Sequence, residues 1–184
     1  MGSEWPAVEV FCPQLPPSPG EAMASVEHEL LKWAASWTEG ESGLGERVVV
    51  MGSSLGGFYA THLAERFGCR AVLLNPAVNP ARDLAAYIGE QTQWHSDERF
   101  FFEPRFVDEL RALAHVHSTH PERLLAIIAT GDEVLDWTEM RDRYAGSLLR
   151  IVHGSDHALS DFDEHLPVAM EFLGLGSQTA AVTR

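Results

Sequence analysis

Four short apolar runs punctuate the chain: Val48–Met51, Ala71–Leu74, Leu124–Ala129 and Leu148–Val152. They are nearly continuous rather than alternating, the pattern of strands covered on both faces. A weaker fifth run, Ala7–Phe11, lies near the start. Between the runs sit segments of helical period. The clearest is Met23, Val26, Leu30, Trp33 and Trp37, whose gaps of 3, 4, 3 and 4 trace one helical face. Others are Leu55–Phe67, Ala81–Ile88, Pro104–Val116 and Val168–Leu173. Strands alternating with helices predict an α/β fold: a doubly wound, mostly parallel sheet with helices on both faces.

The punctuation between these segments completes the outline. Pro13–Gly20 contains four prolines, each removing a backbone donor, and reads as a loop. Gly174–Arg184 is polar and reads as a frayed tail. No internal repeat or low-complexity stretch marks a boundary, so residues 1–184 read as one domain. Gly89–Glu103 is an excursion carrying Trp94, Phe100, Phe101 and Phe102. It has two readings: a lid with apolar substrate contacts, or a segment that its aromatic residues pin to the core.

Composition narrows the function classes. The chain has 184 residues, 45% of them hydrophobic, a size that buries a core without disulfide or metal staples. Its two cysteines, Cys12 and Cys69, do not make a disulfide framework. With 27 acidic against 13 basic side chains the net charge is −14, and Lys and Arg are not clustered. That balance argues against nucleic acid or an anionic membrane as partner. The first basic residue is Lys32, so the charged start of a targeting peptide is missing. No apolar run approaches the roughly 18 residues of a membrane helix. The expectation is a cytoplasmic protein without membrane insertion.

The most informative stretch is Val48-Val49-Val50-Met51-Gly52-Ser53-Ser54-Leu55-Gly56-Gly57. It fits strand, Gly-x-Ser-x-Gly turn, then helix, the setting of a nucleophile elbow. The tight turn places Ser54 in a strained conformation and demands glycine at 52 and 56, where a Cβ is expected to clash with backbone. Ser54 then presents its hydroxyl beyond the strand, and the Leu55 N–H at the helix start faces a developing oxyanion. Ser53 is the wrong serine for this geometry. A phosphate-binding loop is the competing reading, but no Lys or Arg follows the glycines until Arg66.

A serine hydroxyl needs an imidazole to take its proton. His157 follows the last apolar run and a glycine turn, where the base of such a site belongs. His153 ends that run and reads as structural. His115, His117 and His120 have a superficially metal-like spacing, but no cysteine or carboxylate joins them at ligand spacing, and a solvated helix end is expected rather than a metal site. Asp132, just past Leu124–Ala129, is the choice for the acid that orients His157. Glu133 and Asp136 are adjacent alternatives. Asp156 and Asp161 stand too near His157 in sequence to reach its ring from the correct side. Phe58 and Tyr59 read as packing against the sheet rather than lining an acyl pocket.

Five ordered motifs carry a resemblance: Pro13-Gln14-Leu15-Pro16, Gly52–Gly57, Asn75-Pro76-Ala77-Val78, Thr130–Asp136 and Gly154–Phe162. Together, from about Val8 to Leu175, they resemble the YqiA/YcfP-type esterases of the α/β-hydrolase superfamily. The resemblance implies a serine esterase or thioesterase working through an acyl-enzyme without a cofactor, with Ser54, His157 and Asp132 as nucleophile, base and acid. It also exposes a departure. Members of that family begin with a further strand that ends in a His-Gly-Phe-type loop, whereas no His-Gly pair precedes Ser54 here. That loop supplies the second oxyanion donor, and losing one donor costs about 10²–10³ in rate. Two expectations follow: either Met1 is an internal start, or Ala7–Phe11 slides inward against Val48–Met51.

Three functions are thus in play. The first is hydrolysis of a small-molecule ester or thioester. The second is a non-catalytic or impaired module that binds acyl ligands or a protein partner. The third is phosphate binding at Gly52–Gly57. Oligomeric state is not written in the residues.

Overall fold

The computed structural model describes residues 8–92 and 99–176. In chain order its regular elements are α1 (Pro19–Ala34), α2 (Leu44–Arg47), β1 (Val49–Ser53), α3 (Leu55–Phe67), β2 (Arg70–Leu74) and α4 (Pro80–Asp83). There follow β3 (Gly89–Thr92), β4 (Arg99–Phe102), α5 (Pro104–Leu113), β5 (Leu124–Ala129), α6 (Trp137–Arg143), β6 (Leu148–Val152) and α7 (Leu166–Phe172). Strands β1, β2, β5 and β6 form a parallel sheet in that spatial order. All four predicted core strands are present, and because they are parallel their carboxyl ends share one rim.

Alternation along each strand assigns its side chains to two faces. Ala71, Leu73, Leu124, Ala126 and Ile128 pack with Ala60 and Ala64 of α3 and Met140 of α6. Val72, Leu125 and Ile127 pack with Ala169 of α7 and with Leu173. Helices on both faces make the fold doubly wound, as the pattern predicts. A further layer joins Met23 and Leu30 of α1, Phe58 and Leu63 of α3, and Phe106 and Leu110 of α5. Every residue of β5 is buried. Strand β1 is only half covered, with Met51 41% exposed, because the sheet ends there among the described residues.

Several expectations need correction. Val8–Phe11 forms no strand, neither beside β1 nor elsewhere, and Ala7 lies outside the described residues. A strand needs a ladder partner; this segment instead leaves Val10 exposed and sets Phe11 edge-on against Trp33 of α1, 5.2 Å between ring centres. The proline loop stops at Ser18, not Gly20. Pro19 has no donor to lose at the first helical position, and Ser18 Oγ accepts from the Glu21 N–H at 3.2 Å. Ala81–Ile88 divides into α4 and a 3₁₀ turn, Leu84–Tyr87. Helix α5 stops at Leu113, short of Val116.

The Gly89–Glu103 excursion contains the antiparallel β3–β4 hairpin. Phe102 is buried and meets Phe106 at 5.4 Å, which is the pinning role. Phe101 is exposed; Trp94 lies outside the described residues. At the carboxyl end the N–H groups of Leu175 and Gly176 both donate to the Met170 carbonyl; the expected fraying beyond Gly176 falls outside the described residues. Among the described residues no helix is long and apolar enough to cross a membrane.

The two cysteines report on this packing. Cys69 is buried, which pushes its thiol up to about 11, whereas Cys12 is exposed. Titration of the native chain with Ellman's reagent at neutral pH is expected to modify Cys12 rapidly and Cys69 only after denaturant is added. Equal rates would contradict the packing around Cys69.

Candidate active site

Strand β1 turns into α3 through Ser54, which sits at φ 53° and ψ −119°. A non-glycine residue at positive φ persists only where its surroundings hold it. Four backbone bonds do so. The Ser54 N–H donates to Leu74 O at 2.9 Å, and the Ser54 carbonyl accepts from Gly57 and Ala77 at 3.0 Å and from Phe58 at 3.3 Å. The turn closes because position 52 has no side chain: a Cβ there would overlap the Gly56 carbonyl and lie 2.9 Å from Gly57 N. The steric demand expected at Gly56 is absent, since a Cβ there would meet nothing within 4 Å. Gly57 carries it instead, because a Cβ at 57 would stand 2.8 Å from Pro76 Cβ. The elbow leans on the turn that follows β2.

The loops after β5 and β6 meet Ser54 at the carboxyl rim of the sheet. His157 Nε2 lies 3.0 Å from Ser54 Oγ, and His157 Nδ1 lies 2.8 Å from Asp132 Oδ2. The Asp132 side chain is fully buried and that of His157 is 20% exposed. The second Asp132 oxygen accepts from the N–H groups of Val134 and Leu135, each at 2.8 Å. The carboxylate is therefore fixed by its own turn as well as by the imidazole. With Nδ1–H donating to Asp132, Nε2 is free to accept from the Ser54 hydroxyl. The Leu55 N–H heads α3 directly after Ser54.

The structure thus brings together Ser54, Asp132, His157 and the Leu55 amide, and separates the alternatives from them. Ser53 stays in the β1 ladder opposite Leu74. Glu133 reaches His157, but its Oε2 accepts from the main-chain N–H at 3.0 Å rather than facing the ring. Asp136 caps α6, and hydrogen bonds from Thr138 hold its carboxyl below the usual carboxylate range. Asp156 accepts from the Ser160 hydroxyl and amide, and Asp161 accepts from the Ser155 hydroxyl, so both shape the histidine loop. His153 follows β6 and is exposed.

The histidine trio does not assemble. His115 Nε2 lies 3.1 Å from His62 Nδ1, and burial with the neighbouring His62 lowers the His115 pKa; the His120 ring faces Glu122. Among the described residues no three His, Cys, Asp or Glu side chains converge as metal ligands would. Phe58 and Tyr59 are buried in the layer with α1 and α5. Sequence reasoning gave no role to Asn75, which is fully buried with three side-chain hydrogen bonds. The available signal was a polar residue directly after an apolar strand, at the rim where parallel sheets place their sites.

A family model described as Uncharacterised protein family (UPF0227) matches residues 2–174. Among solved structures, the chain is similar to a putative hydrolase from Agrobacterium vitis S4, with a TM-score of 0.60 and 17% identity, covering 85% of this chain and 69% of that one. It is similar to a monoacylglycerol lipase from Paleococcus ferrophilus, with a TM-score of 0.56 and 15% identity, covering 86% of this chain and 76% of that one. It is also similar to the esterase domain of a Rhodothermus marinus protein, with a TM-score of 0.53 and 18% identity, covering 85% of this chain and 66% of that one. At such identities the likeness is one of fold, and it is the fold the motifs imply.

The elbow gives a direct mutational expectation. Gly52→Ala is expected to destabilise the fold by at least about 3 kcal/mol, the upper end for overpacking, whereas Gly56→Ala, with open space at its Cβ, is expected to change stability by less than about 1 kcal/mol. Urea unfolding midpoints of the two variants check this; equal losses would contradict the steric account.

Proposed function

The chain belongs to the Uncharacterised protein family (UPF0227), and we propose that it is a serine-dependent hydrolase of small carboxylic esters or thioesters. The observation that carries the reading is the pair of contacts at His157, 3.0 Å to Ser54 Oγ and 2.8 Å to Asp132 Oδ2. In this reading Ser54 attacks the acyl carbonyl while His157 Nε2 takes the hydroxyl proton. Buried Asp132 keeps Nδ1 protonated and stabilises the imidazolium that forms. The Leu55 N–H receives the developing oxyanion. His157 then returns its proton to the leaving alcohol or thiol, an acyl-Ser54 intermediate remains, and water activated by the same imidazole releases the acid. No step calls for a cofactor.

The likeness to a lipase and an esterase domain supports this class of chemistry by analogy of fold. Phosphate binding fits poorly: Arg66, the first cation after the glycines, sits at the far end of α3, near Glu27 and Glu41. One observation favours an impaired acyl-binding module. Strand β1 ends the sheet among the described residues, so no adjoining strand there presents a second oxyanion donor.

Turnover separates the two. With p-nitrophenyl acetate and a short acyl thioester, the chain is expected to complete many turnovers per molecule. Ser54→Ala is expected to lower kcat at least about 10³-fold, and Asp132→Asn about 10⁴-fold. A Ser54→Ala rate equal to that of the unmodified chain would overturn the hydrolase reading.

A further inference from the structure

The turn after β2 holds a polar side chain that the reaction as described does not use. Asn75 is fully buried, at φ 41°. Asparagine tolerates that left-handed backbone better than most residues. Its backbone N–H donates to Ile127 O at 3.0 Å, continuing the β2–β5 pairing by one residue. Its side chain leaves the sheet direction and makes three bonds. Oδ1 accepts from the Ala129 N–H at 2.8 Å, and Nδ2 donates to the main-chain carbonyls of Asp156 and His157, both at 3.0 Å.

Those partners are not scattered. Ala129 ends β5, three residues before Asp132. The Asp156 and His157 carbonyls belong to the histidine loop itself. On either side of Asn75, Leu74 O accepts from the Ser54 N–H and the Ala77 N–H donates to Ser54 O. One turn therefore grips the backbone of Ser54, the root of the Asp132 loop and the peptide that carries His157. The loops after β5 and β6 are otherwise joined to each other near the triad by Glu133 on the His157 N–H and by Thr130 on Gly154. The Asn75 amide ties both loops to the end of β2.

We propose that Asn75 is a positioning residue of the hydrolytic site, whose side-chain amide sets the His157 backbone in register with Ser54 and Asp132. This rests on the hydrolase reading. The chemistry explains the choice of residue. A buried amide offers two N–H donors and one carbonyl acceptor on the same plane, and here both donors go to carbonyls and the acceptor to an N–H. An aspartate has nearly the same shape and tolerates the same φ, but as a carboxylate it keeps only the acceptor half. It preserves the Ala129 bond and turns the two bonds to the histidine loop into contacts between oxygens.

The test is Asn75→Asp, examined below its melting temperature by ester kinetics and by the downfield proton resonance of His157 Nδ1–H bonded to Asp132. The expected result is a fall in kcat of about 10²-fold, the scale for a displacement near 1 Å at a reacting group, with KM changed by less than about twofold. The Nδ1 proton resonance is expected to shift or broaden. Should Asn75→Asp fail to fold, Asn75→Ser, which keeps a smaller donor, is expected to give the same split between kcat and KM. A variant that only melts earlier, with kcat per folded molecule and the resonance both unchanged, overturns the proposal. If the unmodified chain shows the resonance but no ester turnover, the hydrolase reading fails, and the resonance comparison still decides whether Asn75 holds His157. If the unmodified chain shows neither, both fall.

Discussion

The site depends on one close passage of backbone, that of Gly52 beneath the carbonyl of Gly56. With no side chain at 52, the chain leaves β1 and enters α3 within two residues, and Ser54 is carried to a positive φ of 53°, with its hydroxyl against His157 Nε2. That conformation is unfavourable for serine by itself. It is maintained by bonds to Leu74 and Ala77, so Ser54 is anchored to the neighbouring strand and not only to its own turn. Loosening either grip would remove the reason for Ser54 to point where His157 waits.

A parallel sheet makes the rest of the arrangement inexpensive. Because β1, β2, β5 and β6 run the same way, the segments that follow them emerge side by side at one rim. Asp132 lies three residues beyond β5 and His157 five beyond β6, short enough that little chain must be ordered to bring them together. A fully buried carboxylate would be costly without partners. Asp132 has three: the amides of Val134 and Leu135 and the His157 imidazole. The surrounding acids are occupied elsewhere, Asp136 as a helix cap and Asp156 and Asp161 in shaping the histidine loop.

Much of this was legible in the sequence because it is written in local pattern. The apolar runs located all four core strands; burial on both faces leaves no alternation in β5 and little in β2, and β1 and β6 keep the same apolar composition at the sheet's edges. The Gly-x-Ser-x-Gly turn between a strand and a helix located Ser54, and the order of later loops located Asp132 and His157. What escaped detection depends on partners distant in sequence. Val8–Phe11 has strand-like composition, yet it packs Phe11 on Trp33 and pairs with no strand among the described residues. The steric role given to Gly56 belongs to Gly57, because the nearest obstacle is Pro76, outside the motif. Asn75 entered only within the Asn75-Pro76-Ala77-Val78 motif and with no role of its own; its three bonds reach Ala129, Asp156 and His157, which no spacing rule connects. Helix α6 was missed because it carries only two apolar positions, Trp137 and Met140, too few to trace a face.

The proposed hydrolysis requires that the fold activate Ser54 and not its neighbour Ser53. Intact-mass labelling with a fluorophosphonate reads this without knowledge of the substrate, run on the unmodified chain beside Ser53→Ala and Ser54→Ala. One adduct per chain is expected, kept in Ser53→Ala and lost in Ser54→Ala. A folded, unmodified chain that takes no label, or a label that survives Ser54→Ala, would contradict it.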